Sequence, residues 1–430
     1  KDDIVPTDIT ETNFMEALFS NNADICLSQF SIYQAIASQM VSLNGNQIST
    51  TGHFSDVFNA SSQYALTGDL AQWVQSSVPD RFQNFNDYMK NGVIKLRNID
   101  GESIYTSYSP EQENNIFNSK YSPLYISRTP EWRWGKAADT ASGESKSKTA
   151  HVIVDFEFYM ALSIGSTPEG ATSFAGVRDL EVSFTMKSGM APYLFSLQKT
   201  AADRIASIVV DQSSVGINKA YMFAQIFTAP TYMIKERIDP QTNTLKPYSI
   251  AYDKIDSFTG TTYNVGPGTS TSFNYASITT SYTPSHAYIS LVRTRKGTQE
   301  QIMTTPICYG LFKTLDITAG AATTSFHNPR ALTLVSDANG YDCMDPQGMA
   351  SKGYTVKIDF TKDISMNGET LVGASGRFDL SVSGNFMNVG DTAADFQIQV
   401  HLVTPSQIQF DGSGFSTATG VMITDQMRSS

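Results

Sequence analysis

Several runs of this chain place an apolar residue at every second position. Val154, Phe156 and Phe158 alternate with Asp155 and Glu157, and Leu180, Val182, Phe184 and Met186 alternate with Glu181, Ser183 and Thr185. The same period returns at Val356, Ile358 and Phe360, at Phe378, Leu380 and Val382, and at Phe396, Ile398, Val400 and Leu402. Successive side chains of a strand point to opposite faces, so each run buries one face and leaves the other polar. By that rule His401, between Val400 and Leu402, lies on the polar face of its strand. Both halves carry the pattern, which predicts antiparallel sheets packed face to face rather than strand–helix–strand units.

Turn chemistry supports this reading. Val41-Ser42-Leu43-Asn44-Gly45 and Ile364-Ser365-Met366-Asn367-Gly368 share the order apolar-Ser-apolar-Asn-Gly. Asn-Gly after alternating residues predicts a hairpin, because both central residues of a type I′ turn take positive φ. Further strands are expected over Ile32 to Leu43, Ile205 to Val210, Tyr288 to Val292, Ile307 to Ile317 and Ala331 to Val335. Helices are expected over residues 11–19, 62–76, 79–91 and 110–121, as insertions into sheet connections. Residues 136–150 lack large apolar side chains and read as an exposed loop, with a contact arm as the sharper alternative. Pro230, Pro240 and Pro247 mark a junction between about 215 and 245, since proline blocks strand pairing. The expected division is a first sandwich over 1–228 and a second over 229–430, too much chain for one ordinary core.

The chain has 430 residues, of which 17 % are charged, against an average of about 25 %. Ser, Thr, Asn, Gln and Gly take the place of charge, as in half-buried strands and neutral contact surfaces. Phe and Tyr number 25 and 20, and aromatics favour strands and interface cores. A net charge of −11 argues against tight direct nucleic-acid binding by the folded body, though not against a separate basic tail. Cys26, Cys308 and Cys343 are too few and too scattered for a disulfide framework and read as buried thiols. No signal peptide is read, and no apolar run reaches the roughly 18 residues of a membrane span. The chain opens on Lys1 rather than Met, so further residues are expected upstream.

The motifs nominate no catalytic, cofactor-binding or metal-ligating residue, and the chain is expected not to be an enzyme. Gly373-Ala374-Ser375-Gly376 lacks nucleophile-elbow spacing and precedes a strand. His53, His151, His286, His327 and His401 form no paired ligand motif. No phosphate-binding loop is present, and Gly266-Pro267-Gly268 opens no helix. Asp337, Asn339, Asp342 and Asp345 surround Gly340, but they depart from a calcium-loop spacing and read as a turn-rich surface. Arg293, Arg295 and Lys296 read as a solvated strand end or an intersubunit ion pair. Trp132-Arg133-Trp134 suits packing under a loop, an interface, or a platform for a glycan.

Four segments carry a family resemblance. Leu27 to Ile48, with its Asn-Gly hairpin, looks like the opening strands of a double jelly-roll major capsid protein. Gly176-Val177-Arg178-Asp179-Leu180-Glu181-Val182-Ser183-Phe184 resembles a late strand of a first jelly roll. Thr283-Pro284-Ser285-His286-Ala287-Tyr288-Ile289-Ser290-Leu291-Val292 resembles a Pro-led core strand of a second, and the stretch from Gly376 to Gly412 is similar to the closing strands. The type is that of virophages and polinton-like viruses. The resemblance implies two side-by-side jelly rolls, each of about eight strands. It implies a homotrimeric, pseudo-hexameric capsomer in an icosahedral shell around a viral genome, with penton or minor capsid proteins as partners. It implies no cofactor, and a place in the virion after assembly inside the host cell. The alternative function is a viral attachment or glycan-binding β-sandwich.

Overall fold

The computed structural model describes residues 25–27, 31–65, 96–97, 103–104, 131–134, 150–153, 179–197, 238–242, 246, 248–295, 297–298, 302, 310–340, 354–364, 372–390, 393–410 and 415–419. The expected elements at 11–19, 79–91, 110–121, 154–158 and 205–210 lie outside these residues, as do Asn367-Gly368, Cys308 and Cys343.

The N-terminal half contains β1 (Ile25–Leu27), α1 (Ser31–Ala35), β2 (Ile36–Leu43), β3 (Asn46–Thr51), α2 (Phe54–Ala65), β4 (Leu96–Arg97), β5 (Ser103–Ile104), β6 (Glu131–Trp134), β7 (Ala150–Ile153), β8 (Leu180–Met186), α3 (Ala191–Leu194) and β9 (Phe195–Leu197). Three strands form a sheet in the order β3–β2–β8. The β2–β3 hairpin turns at Asn44 and Gly45, whose φ values of 50° and 78° are the two positive angles that the Asn-Gly pair predicts. Asn44 also ties the turn to its other neighbour. Its N–H donates to the Asp179 carbonyl at 2.8 Å, and its Oδ1 accepts from the Asp179 N–H at 3.0 Å.

Two local expectations change here. The strand expected from Ile32 begins only at Ile36, because residues 31–35 form α1. Tyr33 in that helix stacks on Phe58 of α2 with ring centroids 3.7 Å apart, and Phe54 and Phe184 complete the aromatic cluster. That packing overrides the β-leaning Ile-Tyr pair. The helix expected over 62–76 overlaps α2, which runs Phe54–Ala65 with Phe54, Val57 and Ala60 buried at helical spacing; residues 66–76 lie outside the described residues.

The C-terminal half is a complete sandwich: β10 (Tyr248–Val265), β11 (Ser270–Tyr282), β12 (His286–Arg293), β13 (Gly310–Ala319), β14 (Ala322–Phe326), α4 (Pro329–Ala338), β15 (Tyr354–Asp359), β16 (Ser375–Asn388), β17 (Ala394–Phe410) and β18 (Phe415–Thr419). One sheet has the order β10–β17–β12–β15, with β18 added beside β17, and the other has the order β11–β16–β13–β14. Counting β10 to β17 as first to eighth, the sheets read first-eighth-third-sixth and second-seventh-fourth-fifth. That is the jelly-roll order, in which neighbouring strands come from distant parts of the chain. The predicted strands at 288–292, 378–382 and 396–402 fall on these elements, as do 310–317 of the run 307–317 and 356–359 of the run 356–360; residues 307–309 lie outside the described residues, and Phe360 begins the turn after β15.

The alternating runs fill the space between the sheets. Ala287, Ile289, Leu291, Tyr354, Val356, Ile358, Phe396, Ile398, Val400 and Leu402 face Leu315, Ile317, Phe378, Leu380, Val382 and Phe386 across the core. Phe386 meets Phe396 edge to face at 5.7 Å, joining the two layers. A bulge between Phe312 and Thr314 on β13 shifts the phase, so that both Phe312 and Leu315 point inward. Gly384 of β16 lies against this bulge, with no room for a Cβ beside the Thr314 carbonyl.

The free edge of β15 is closed by side chains. Residues 354–359 pair in register with β12, and the backbone groups of 355, 357 and 359 that turn away from it meet side chains. Tyr64 of α2 donates its hydroxyl to the Thr355 carbonyl at 2.7 Å and accepts from the Lys357 N–H at 2.8 Å. Asn339 donates to the Lys357 carbonyl at 2.9 Å, and Asp363 accepts from the Asp359 N–H at 2.8 Å. An open edge is a template for stray pairing, and these groups occupy it. Asn339 is placed by α4, where a strand was expected over 331–335. Asn328 caps that helix by accepting from the Ala331 N–H at 2.8 Å, and Pro329 opens it. Its buried residues, Pro329, Leu332, Thr333 and Ser336, have helical spacing. Ile364, read as the start of a strand before the second Asn-Gly, lies buried in the turn that follows β15.

Two outcomes test this account by urea denaturation. Gly384→Ala forces a methyl onto backbone and lowers stability by roughly 2–3 kcal/mol. Tyr64→Phe leaves a carbonyl and an N–H of β15 without their partner, which costs roughly 2–4 kcal/mol. Hydrogen exchange at the Lys357 amide rises in the second variant while the β13–β16 amides stay protected.

Candidate functional site

In a sandwich the faces turned away from the core are ordinarily solvated. On the β10–β17–β12–β15 sheet the outward face is instead buried: Ser290 is 3 % exposed, Thr355 3 %, Gln399 4 % and His401 1 %. The expectation that His401 occupies a polar strand face holds for its direction and fails for its exposure. The cover is α2 and the turn leading into it, whose hydrogen bonds to the sheet span 205 to 343 residues of chain. Ala60 packs on Tyr288 and Val403, with Tyr64 and Ile255 alongside.

Several polar groups on this face find partners, while Gln399 Oε1 and His401 Nε2 are buried without one among the described residues. Asp56 of α2 accepts from the Gln399 side-chain amide at 3.0 Å and lies 4.0 Å from the ring of His53. The His401 Nδ1 lies 3.0 Å from the Ser257 hydroxyl, which donates to the Gly52 carbonyl at 3.4 Å. That direction of donation makes Nδ1 the protonated nitrogen and leaves Nε2 as a bare acceptor. Burial pushes the His401 imidazole down to about 4, with the nearby Asp56 opposing and His53 reinforcing the shift. His286, two residues before Tyr288, bonds the Ser285 hydroxyl at 2.9 Å and meets the Tyr288 ring edge to face at 5.1 Å. Burial and the Lys357 ammonium push it down to about 3. Burial also raises the Tyr64 and Tyr288 phenols well above the ordinary range.

The cations of this seam are enclosed rather than solvated. Lys187, just after β8, donates to Ser55 at 2.8 Å and stands 4.9 Å from the centre of the Tyr193 ring. Arg295 stands 5.5 Å from the centre of the same ring, donating to the Ile302 carbonyl at 2.8 Å and the Pro192 carbonyl at 3.4 Å. Burial lowers both, Arg295 to about 10, so it keeps its charge at neutral pH. The expected solvated strand end at Arg293 and Arg295 is thereby corrected: both are buried, at 8 % and 9 % exposure. Lys296 lies outside the described residues. Tyr193, from α3 in the N-terminal half, takes Arg295 of the second sandwich onto its ring, a cation–π contact across the seam.

Other nominated residues do not gather. Trp132 and Trp134 of β6 pair in register with Val152 and Ala150 of β7. Asp337 and Asn339 end α4, Asn339 spends its amide on Lys357 and Asp363, and Asp342 and Asp345 lie outside the described residues. Among the described residues no three His, Cys, Asp or Glu side chains come together as a metal site would need. The seam residues Asp56, Ser257 and Gln399 were not singled out in the sequence. Their single signal was the run of apolar positions at helical spacing in 54–64, which announces a helix that must cover something.

Comparison of the sequence with protein-family models and with curated proteins finds no match. Among solved structures the fold is similar to a chain of the Sputnik virophage in its 3.5 Å cryo-EM structure, with a TM-score of 0.62 and 14 % identity over 94 % of this chain and 78 % of that one. It is similar to the mavirus major capsid protein in its crystal structure, with a TM-score of 0.58 and 14 % identity over 95 % of this chain and 81 % of that one. These likenesses run along nearly the whole chain and concern its architecture: an all-β protein with the double jelly-roll fold.

Proposed function

We propose that this chain is a major capsid protein, a structural component of a virion rather than an enzyme. One observation carries the reading. The complete jelly-roll strand order of the second sandwich accompanies a fold likeness to the mavirus major capsid protein along 95 % of the chain. Fold alone hosts many functions, so the character of the surface adds weight. The outward face of the β11–β16–β13–β14 sheet presents Ser272, Asn274, Thr279, Thr323 and Ser325, all exposed and uncharged. The same face also carries Asp316 and the Arg377–Asp379 ion pair, so a partner there meets mainly neutral side chains with a few charges among them.

In this reading residues 1–228 form the first jelly roll with its helical insertions and 229–430 the second. Three copies associate into a pseudo-hexameric capsomer, and capsomers tile an icosahedral shell with penton or minor capsid proteins, assembled inside the host cell. The net charge of −11 argues that the folded body encloses a genome without gripping it tightly. Among the described residues no helix is long and apolar enough to cross a membrane.

Native mass spectrometry and small-angle scattering of the purified chain test the reading. A trimer is expected, with pseudo-hexameric particles in electron micrographs of assembled material. A strict monomer at high concentration, across salt and pH, would overturn it. Dose-dependent glycan binding lost in Trp132→Ala or Trp134→Ala, together with that monomer, would put the attachment reading in its place.

A further inference from the structure

We propose that the seam beneath α2 is an acid-operated latch: a proton taken up at His401 frees α2 from the outward face of the β10–β17–β12–β15 sheet. The inference rests on the seam alone and stands whether or not the chain builds a shell.

The geometry gives an imidazolium nowhere to go. The His401 ring is 1 % exposed, and its Nδ1 is committed to Ser257. Its Nε2 is buried with no hydrogen-bond partner among the described residues. Protonation at Nε2 creates a buried N–H with no acceptor and a charge with no water. Two titratable groups face it, both from the covering segment: Asp56 on α2 and His53 in the turn before it. Asp56 is already held by the Gln399 amide and lies 4.0 Å from the His53 ring. The strand residues beside His401 are Ser257 of β10 and Tyr288 of β12, neither of which neutralises a cation. His286 faces Lys357 and Asp359 from β15. Lys357 is shared among Asp359, Asp253, Asp363 and Lys362, so the local field around His286 is mixed rather than anionic.

The sign follows from these surroundings. Both imidazoles are held below their ordinary value, so at neutral pH they are uncharged whether the seam is closed or open. Below about pH 6.5 the open state takes the proton and the closed state resists it. Closure therefore weakens as the pH falls, down to about 4 for His401. Each unit of that window changes the opening equilibrium by up to about tenfold. The latch lies on α2 because the helix is the cover: once it lifts, the His401 ring reaches water while the core between the sheets stays closed.

Hydrogen exchange of the full chain tests this, with rates corrected for the intrinsic effect of pH. Between pH 7 and pH 5, peptides spanning 54–65 are expected to lose protection by about tenfold or more, while peptides of β13 and β16 keep theirs. The variant His401→Asn retains a side-chain donor at the site and is expected to hold α2 protected at both pH values. Asp56→Asn keeps the acid response. Unchanged α2 protection in the wild type, or an equal loss in the His401→Asn variant, would overturn the proposal. Should that variant not fold, NMR titration of the wild-type imidazoles decides: a His401 ring that charges near pH 6.5 with α2 still protected also overturns it.

Discussion

Gln399, His401 and Val403 leave β17 on the side away from the hydrophobic core, and all three are buried. Burying both faces of a strand is the constraint from which much of the molecule follows. A buried polar group without a partner costs about 1–3 kcal/mol, so a second layer is tolerable only where it supplies partners in register. Asp56 does this for Gln399, and the Ser257–Gly52 pair does it for His401 Nδ1. The helix that brings Asp56 must also satisfy its other side, which it does through Phe54 and Phe58 against Tyr33 and Phe184. One helix thus belongs to two cores, and the N-terminal half is tied to the second sandwich through it.

The same helix closes the sheet. Tyr64, at its far end, takes the hydroxyl into the backbone edge of β15, while Asn339 and Asp363 complete the row. Three separate pieces of chain converge on one short strand. An exposed strand edge is a template for indiscriminate pairing, and at β15 strand addition is blocked.

The sandwich was the more legible part of the chain. Strand positions 288–292, 356–359, 378–382 and 396–402 follow from alternation alone, and the hairpin at Asn44-Gly45 follows from the positive φ both residues adopt. The misreadings have one physical origin. Ala331 to Val335 is apolar enough for a strand, yet Asn328-Pro329 caps it as a helix. Ile32 and Tyr33 lean toward β, yet stacking on Phe58 holds them helical. In each case a contact or a cap outweighed the residues' own preference. The seam was nearly illegible, because His401, Arg293 and Arg295 look like ordinary surface residues until a cover is known.

The division between the two levels is one of distance along the chain. Which side chains of a strand share a face, and where a tight turn can form, are decided within a few residues by backbone geometry. Those features, and with them an all-β sandwich of polar, weakly charged surface, could be read directly. Which strands become neighbours, and which polar face loses its water, depends on contacts between residues 56 and 399 or 64 and 355. Alternation places His401 away from the core but says nothing about what lies over it. The folded chain puts a helix there, and a surface histidine becomes a buried one.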